Sequence, residues 1–126
     1  MSVEDPTPTT VDALLGAARA QLARLTPAAA LERQGDGAVL IDIRSESQRA
    51  RDGALPGAAV VARNVLEWRL DPASPHCDLE LARRDREVYQ SSLAAATLRR
   101  FGIDATDVIG GAQGWLKAGL PVESLR

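Results

Sequence analysis

Cys77 is the sole thiol of the chain, and it stands in Pro75-His76-Cys77-Asp78. A cysteine becomes a nucleophile when a cation or a helix N-terminus stabilises its thiolate. Here no strand precedes it, no glycine-rich turn follows it, and Asp78 opposes ionisation. The segment reads as a loop that tolerates a cysteine. The second group is Arg63-Asn64-Val65-Leu66-Glu67-Trp68-Arg69. Arg63 and Arg69 could hold an anion, with Trp68 as a wall. The competing reading is a solvated helix with Trp68 packed on the core. The third is Asp42 and Arg44, which close an apolar run. Asp42 reads as half of an ion pair between strand and loop. Arg44 reads equally as its partner or as a rim residue of a ligand crevice.

Composition narrows the classes. The chain has 126 residues, 45% of them hydrophobic and 25% charged, with a net charge of −2. That length suits one globular domain. The acidic balance argues against nucleic acid bound through bulk charge. Nowhere do about 18 apolar residues run together, so no membrane span is expected. Met1 to Thr10 is acidic and Pro/Thr-rich with no apolar h-region, which predicts a cytoplasmic protein without a secretory signal. One cysteine and one histidine cannot supply a disulfide frame or a Cys-based zinc site, so no metal is expected. Arginine far outnumbers lysine and alanine is abundant, a bias that carries no functional weight by itself.

These residues need elements to position them. Residues 1–8 read as a disordered start. Leu14, Leu15, Ala18, Leu22 and Leu25 recur at spacings of three and four, which predicts a helix from Val11 to Leu25. Thr26-Pro27 stops it and caps a second helix from Pro27 to Gln34. Ala38 to Ile43 is a short apolar run after a glycine turn and reads as a buried strand. Ser45 to Arg51 suits one or two helical turns. Ala59 to Ala62 reads as a strand, Asn64 to Leu70 as a helix, and Leu79 to Arg84 as a short helix or extended piece. Asp85-Arg86-Glu87-Val88 looks like the lead-in to a strand that does not follow. Tyr89-Gln90-Ser91-Ser92 already reads as a helix start, with a serine as N-cap. That helix runs Leu93 to Phe101. Thr106 to Ile109 is a strand, Gly110-Gly111 a tight turn, and Gln113 to Lys117 a helix with Trp115 in the core. Strand–helix alternation implies an α/β fold with a mostly parallel sheet flanked by helices. The division is 1–26 for the start and N-terminal helical extension, and 27–126 for the domain.

Three blocks resemble the rhodanese-like domain, in that family's order and over residues 27–123. The first is Val39-Leu40-Ile41-Asp42-Ile43-Arg44 with Gly53-Ala54-Leu55-Pro56-Gly57-Ala58, similar to a strand ending in Asp-x-Arg before a Gly-His-Ile-Pro-Gly-Ala segment; Ala54 stands at the histidine position. The second is Ser91-Ser92-Leu93-Ala94-Ala95-Ala96 to Gly102, similar to the helix after the catalytic loop. The third is Val108 to Trp115 through Gly119-Leu120-Pro121-Val122, similar to the closing signature. The resemblance implies a sulfurtransferase without metal or organic cofactor. A loop thiolate takes sulfane sulfur from thiosulfate or a persulfide and passes it to cyanide or another thiol. The partners implied are a small sulfur donor and such an acceptor. Arg44, Arg63, Trp68 and Arg69 are the candidate substrate pocket, and Gly110 and Gly111 the turn beside it.

The chain departs from that pattern where the nucleophile belongs. The family has an apolar strand, a cysteine loop and then the helix; here Val88 runs directly into Tyr89. No catalytic residue is present as the sequence is written, and Tyr89, Gln90, Ser91 and Ser92 read as the back end of the loop. Roughly seven residues would supply the rest of a strand and a tight loop. Losing a central parallel strand would leave helices without a sheet to cover, which favours a segment omitted between Val88 and Tyr89. Three functions follow: a sulfurtransferase whose catalytic loop is absent here, a binding or regulatory module without the nucleophile, and, less favoured, a Cys-based phosphatase, which needs a loop one residue wider and also a cysteine. The leucines of the N-terminal helix suit packing on their own domain or a homodimer.

Overall fold

A computed structural model of the chain describes residues 8–82 and 88–124. Among these residues the elements are, in order, helices α1 (Val11–Ala20) and α2 (Pro27–Gly35), strand β1 (Val39–Asp42), helix α3 (Glu46–Asp52), strand β2 (Ala59–Val60), a 3-10 turn (Arg63–Val65), helix α4 (Leu66–Leu70), strand β3 (Val88–Gln90), helix α5 (Ser92–Arg99), strand β4 (Ala105–Asp107) and helix α6 (Gly111–Lys117). The strands form one parallel sheet in the order β2-β1-β3-β4. The expected start at residues 1–7 and the lead-in Asp85-Arg86-Glu87 lie outside the described residues, as does the end of the 79–84 segment.

Local chemistry starts the helices where the sequence does. Thr10 Oγ1 accepts from Ala13 N at 3.0 Å and Thr26 Oγ1 from Ala29 N at 3.2 Å, each satisfying an orphan N–H of a first turn. Ser45 and Gln48 form a reciprocal capping box on α3, with Gln48 N donating to Ser45 Oγ at 3.2 Å and Ser45 N to Gln48 Oε1 at 2.9 Å. A strand sends successive side chains to opposite faces, and the two apolar clusters divide that way. Ile41 and Val88 face Leu22, just past α1, and Leu66, Leu70 and Leu98 of α4 and α5. Leu40 and Tyr89 face Ala30 of α2 and Trp115 of α6. The sheet is covered on both sides, as a parallel sheet requires.

Two expectations are corrected. The N-terminal helix ends at Ala20 instead of Leu25. Beyond it, Leu25 lies beside the end of β4: its N–H donates to Asp107 O at 3.1 Å, and Ile109 N donates to Leu25 O at 2.8 Å. Those bonds satisfy the exposed edge of the sheet and hold the chain extended, against its helical periodicity. The α1 helix nonetheless packs on its own domain, against α5, with Ala18 buried and Leu22 buried just beyond its end.

The second correction concerns the central strand, expected to be missing. Val88 and Tyr89 are successive residues of β3, paired with Val39 and Leu40 on one side and with Ala105 and Thr106 on the other. Tyr89 and Gln90 are thus strand residues, not the start of a helix. The three-residue strand closes the sheet between β1 and β4. What the chain lacks is a loop between strand and helix: Ser91 follows Gln90 directly and is the N-cap of α5.

Candidate functional site at the strand ends

In a parallel sheet the ligand crevice lies beyond the C-terminal ends of the strands. Here β1 ends at Asp42, β3 at Gln90 and β4 at Asp107. A cavity of about 160 Å³ opens beside these ends, lined by β1, Ile43, Arg44, Leu55, Tyr89, Ser91, Val108 and the start of α6 with Trp115. Its polar groups are few, and Arg44 carries the charge opposite Asp42. Arg44 Nη2 donates to Asp42 Oδ2 at 2.7 Å and to Gly53 O at 3.0 Å, and Arg44 Nε donates to Asp42 Oδ1 at 3.0 Å. Its backbone N–H also donates to Asp42 Oδ1 at 3.0 Å. The guanidinium is therefore held flat between strand end and loop, with its side chain only 12% exposed. Its Nη1 is buried and makes no hydrogen bond among the described residues. Arg44 is thus the ion-pair partner of Asp42 and also lines the cavity.

Gly111 lines the cavity, and Gly110 before it is the N-cap of α6. Gly110 adopts φ 79°, and a Cβ there would lie 2.9 Å from Gly114 Cα. Only glycine accepts that conformation so close to a neighbouring backbone. Trp115 is buried, and its Nε1 donates to Pro121 O at 2.8 Å, which closes the far wall with the C-terminal segment.

Around α5 lies a polar group that sequence reasoning missed. Asp107, 1% exposed, accepts from Ser92 Oγ at 2.7 Å and from Arg24 Nε at 3.0 and 3.1 Å. Arg19 Nε donates to Ser92 Oγ at 3.1 Å. A lone aspartate inside the apolar stretch Ala105-Thr106-Asp107-Val108-Ile109 was the available signal, because a buried carboxylate demands partners. The cluster ties α1, α5 and β4 together at the first turn of α5.

The candidate residues named from sequence divide into separate places. Arg44, Tyr89, Ser91 and Gly111 line the strand-end cavity. Tyr89 is 1% exposed and belongs to the core. Ser92 belongs to the Asp107 cluster, and Gly110 caps α6. Arg63 pairs with Glu67 one turn along. Trp68 and Arg69 line a different groove, with Cys77 and His76 in its other wall. Trp68 is 55% exposed, so it is not packed on the core. The structure does not bring Arg63, Trp68 and Arg69 to Arg44. Among the described residues no group of three His, Cys, Asp or Glu side chains could hold a metal ion. No helix among them is long and apolar enough to cross a membrane.

No protein-family model and no curated protein matches the chain. Solved structures do. One, from Rhodopseudomonas palustris, is described as a protein of unknown function and possible tyrosine phosphatase. It is 29% identical, with 97% of this chain and 100% of that chain covered and a TM-score of 0.83. Another is a rhodanese-related protein from Thermoplasma volcanium. It is 23% identical, with 79% of this chain and 96% of that chain covered and a TM-score of 0.57. A four-stranded parallel sheet in the order β2-β1-β3-β4, helices on both faces and these neighbours give one conclusion: the chain has a rhodanese-like α/β fold.

Proposed function

We propose that the chain as sequenced is a binding or regulatory rhodanese-like module, with the strand-end cavity as its ligand site. One observation carries this: β3 passes through Ser91 directly into α5, and no thiol stands on that connection. The fold builds sulfur transfer from a cysteine loop whose N–H groups stabilise the thiolate and cradle an anion. With no loop there is neither nucleophile nor cradle. A cavity of about 160 Å³ admits a ligand of a few heavy atoms, well under the roughly 300–1,000 Å³ of drug-sized sites. The spare N–H of Arg44 favours a small anion or polar group.

The test has two parts. In a thiosulfate:cyanide assay the purified 126-residue chain is expected to form no thiocyanate above buffer. In calorimetric titration, thiosulfate or sulfite should bind and Arg44→Gln should abolish the heat. Turnover that disappears in Cys77→Ala would overturn the reading and make Cys77 the nucleophile.

A second reading is sulfurtransferase action by a chain in which a segment inserted between Val88 and Tyr89 supplies the rest of the strand and the cysteine loop, with Tyr89 to Ser92 as the end of that loop in place of the short β3 formed without it. It draws on a specific observation: the N-terminus of α5, Arg44 and the Gly110-Gly111 turn still frame the strand ends, although β3 has only three residues. In that form the thiolate would attack the sulfane sulfur of thiosulfate, releasing sulfite. Cyanide or a thiol would then take the sulfur from the persulfide and return the thiolate. Peptide sequencing by tandem mass spectrometry across the Val88–Tyr89 junction of the protein from its native source decides between the two: a peptide in which Val88 is followed directly by Tyr89 supports the module, and inserted residues that include a cysteine support the enzyme. Phosphatase action, suggested for the Rhodopseudomonas palustris neighbour, needs the same missing thiol. It should give no p-nitrophenol from p-nitrophenyl phosphate.

A further inference from the structure

The second groove is larger than the strand-end cavity, about 700 Å³, and lies between α4 and the loop that follows it. Asn64, Val65, Trp68 and Arg69 form one wall; Pro75, His76 and Cys77 form the other. Its size falls within the range of small-molecule sites. Backbone bonds hold the loop wall in place. Asp78 N donates to Arg69 O at 2.8 Å, Cys77 N to Ser74 O at 3.2 Å, and Ser74 N to Asp71 O at 2.9 Å. Asp71 Oδ1 and Ser74 Oγ accept from Ala73 N and His76 N. The groove is therefore formed before any ligand arrives, which lowers the entropic cost of binding.

Its chemistry is one-sided. Trp68 presents a broad flat face while 55% exposed, beside Val65 at 38%. Most surface tryptophan in a small domain covers something, because the ring carries a large apolar area. The neighbouring carboxylates are already engaged: Glu67 with Arg63, Asp71 with Ala73 N, and Asp78 with Glu80 N and Leu81 N. Among the described residues no carboxylate lines the groove, whereas Arg69, Asn64 and His76 do. The groove thus pairs an aromatic platform with a guanidinium, and none of its described lining residues is acidic. We propose that it binds a small planar anion, an aromatic or heteroaromatic ring bearing a carboxylate, sulfonate or phosphate. The ring stacks on Trp68 and the anionic group meets Arg69. Cys77, in the wall opposite Trp68, is then covered by the bound ligand.

The test compares naphthalene-2-sulfonate with naphthalen-2-ylmethylammonium, equal in ring and opposite in charge. Binding is read from Trp68 emission in a Trp115→Phe background and, independently, from alkylation of Cys77, the sole thiol, by neutral iodoacetamide. The sulfonate should bind up to about fivefold more tightly than the ammonium, the upper margin expected of one exposed ion pair. Added salt should narrow that margin. Arg69→Gln should remove most of it and Arg69→Lys should retain part. Saturating sulfonate should slow Cys77 alkylation several-fold. Equal affinity for the two probes, or unchanged alkylation at saturation, would overturn the proposal. Both readouts use the wild-type side chains at Arg69 and Cys77, so they stand even if an Arg69 variant folds poorly.

Discussion

Replacing Asp107 by Asn removes one charge from a nearly isosteric side chain. In the wild type that carboxylate sits 1% exposed between Arg24 and Ser92. Breaking a fully buried ion pair costs about 3–5 kcal/mol, because the surviving charge is left stranded. Arg24 is 26% exposed and can turn partly to water, so about 2 kcal/mol is the appropriate share here. The Ser92 hydroxyl exchanges a charged acceptor for a neutral one, which costs about 1 kcal/mol more. The sum is about 3 kcal/mol. With an unfolding entropy near 2.1 cal/mol/K per residue, a chain of this length should lose roughly 10 °C in Tm. The assay is urea and thermal unfolding followed by circular dichroism, with the m-value unchanged. A double-mutant cycle with Arg24→Gln should show a coupling of about 1–2 kcal/mol. A loss below about 1 kcal/mol together with zero coupling would refute the reasoning, since the cluster would then not clamp α1 and α5 to β4.

Other expectations follow from the same geometry. Gly110→Ala should cost about 2 kcal/mol or more, because it adds the left-handed penalty to a Cβ placed 2.9 Å from Gly114 Cα; a chemical denaturation curve reads it. Ser45→Ala removes the capping box of α3 and should cost about 1 kcal/mol by the same measurement, with Ser45→Thr close to neutral. The Arg51 guanidinium beside Asp52 holds that carboxyl below its ordinary range, with Gln113 of α6 also donating to it. Because the folded value is depressed, the contribution is fully present above the unfolded carboxylate pKa and is lost as pH falls through the folded one. Carbon-detected titration of the Asp52 carboxyl should therefore move upward in Arg51→Gln, and an unchanged curve would exclude the pair as its cause.

The sequence was legible where one residue type admits one local solution. Thr26-Pro27 and Ser45 start helices because an oxygen or a fixed φ satisfies the first turn regardless of surroundings. The run Val39–Asp42 is a strand because its β-branched and apolar residues suit a sheet buried on both faces. It was illegible where distant partners compete with local preference. The period of α1 extends to Leu25, yet Leu25 pairs with the end of β4 because an uncovered sheet edge is costlier than lost helical turns. Tyr89-Gln90-Ser91-Ser92 looks like a helix start because its serines cap well. Val88 and Tyr89 become a strand only once β1 and β4 stand on either side to accept their hydrogen bonds.

For the site, the division follows the same physics. The sequence by itself determined that the chain has one thiol and that none lies between Val88 and Ser92. It also determined that strand–helix alternation would produce a parallel sheet, since these depend on composition and periodicity alone. Tertiary structure decided which residues share a cavity. Arg44 and Ser91 meet at the strand ends, Trp68 and Arg69 face Cys77 across another groove, and Asp107 draws Arg24 and Ser92 together from opposite ends of the chain. Such meetings depend on how the sheet orders its strands and on where buried charge finds a partner. Neither is encoded in the spacing of neighbouring residues.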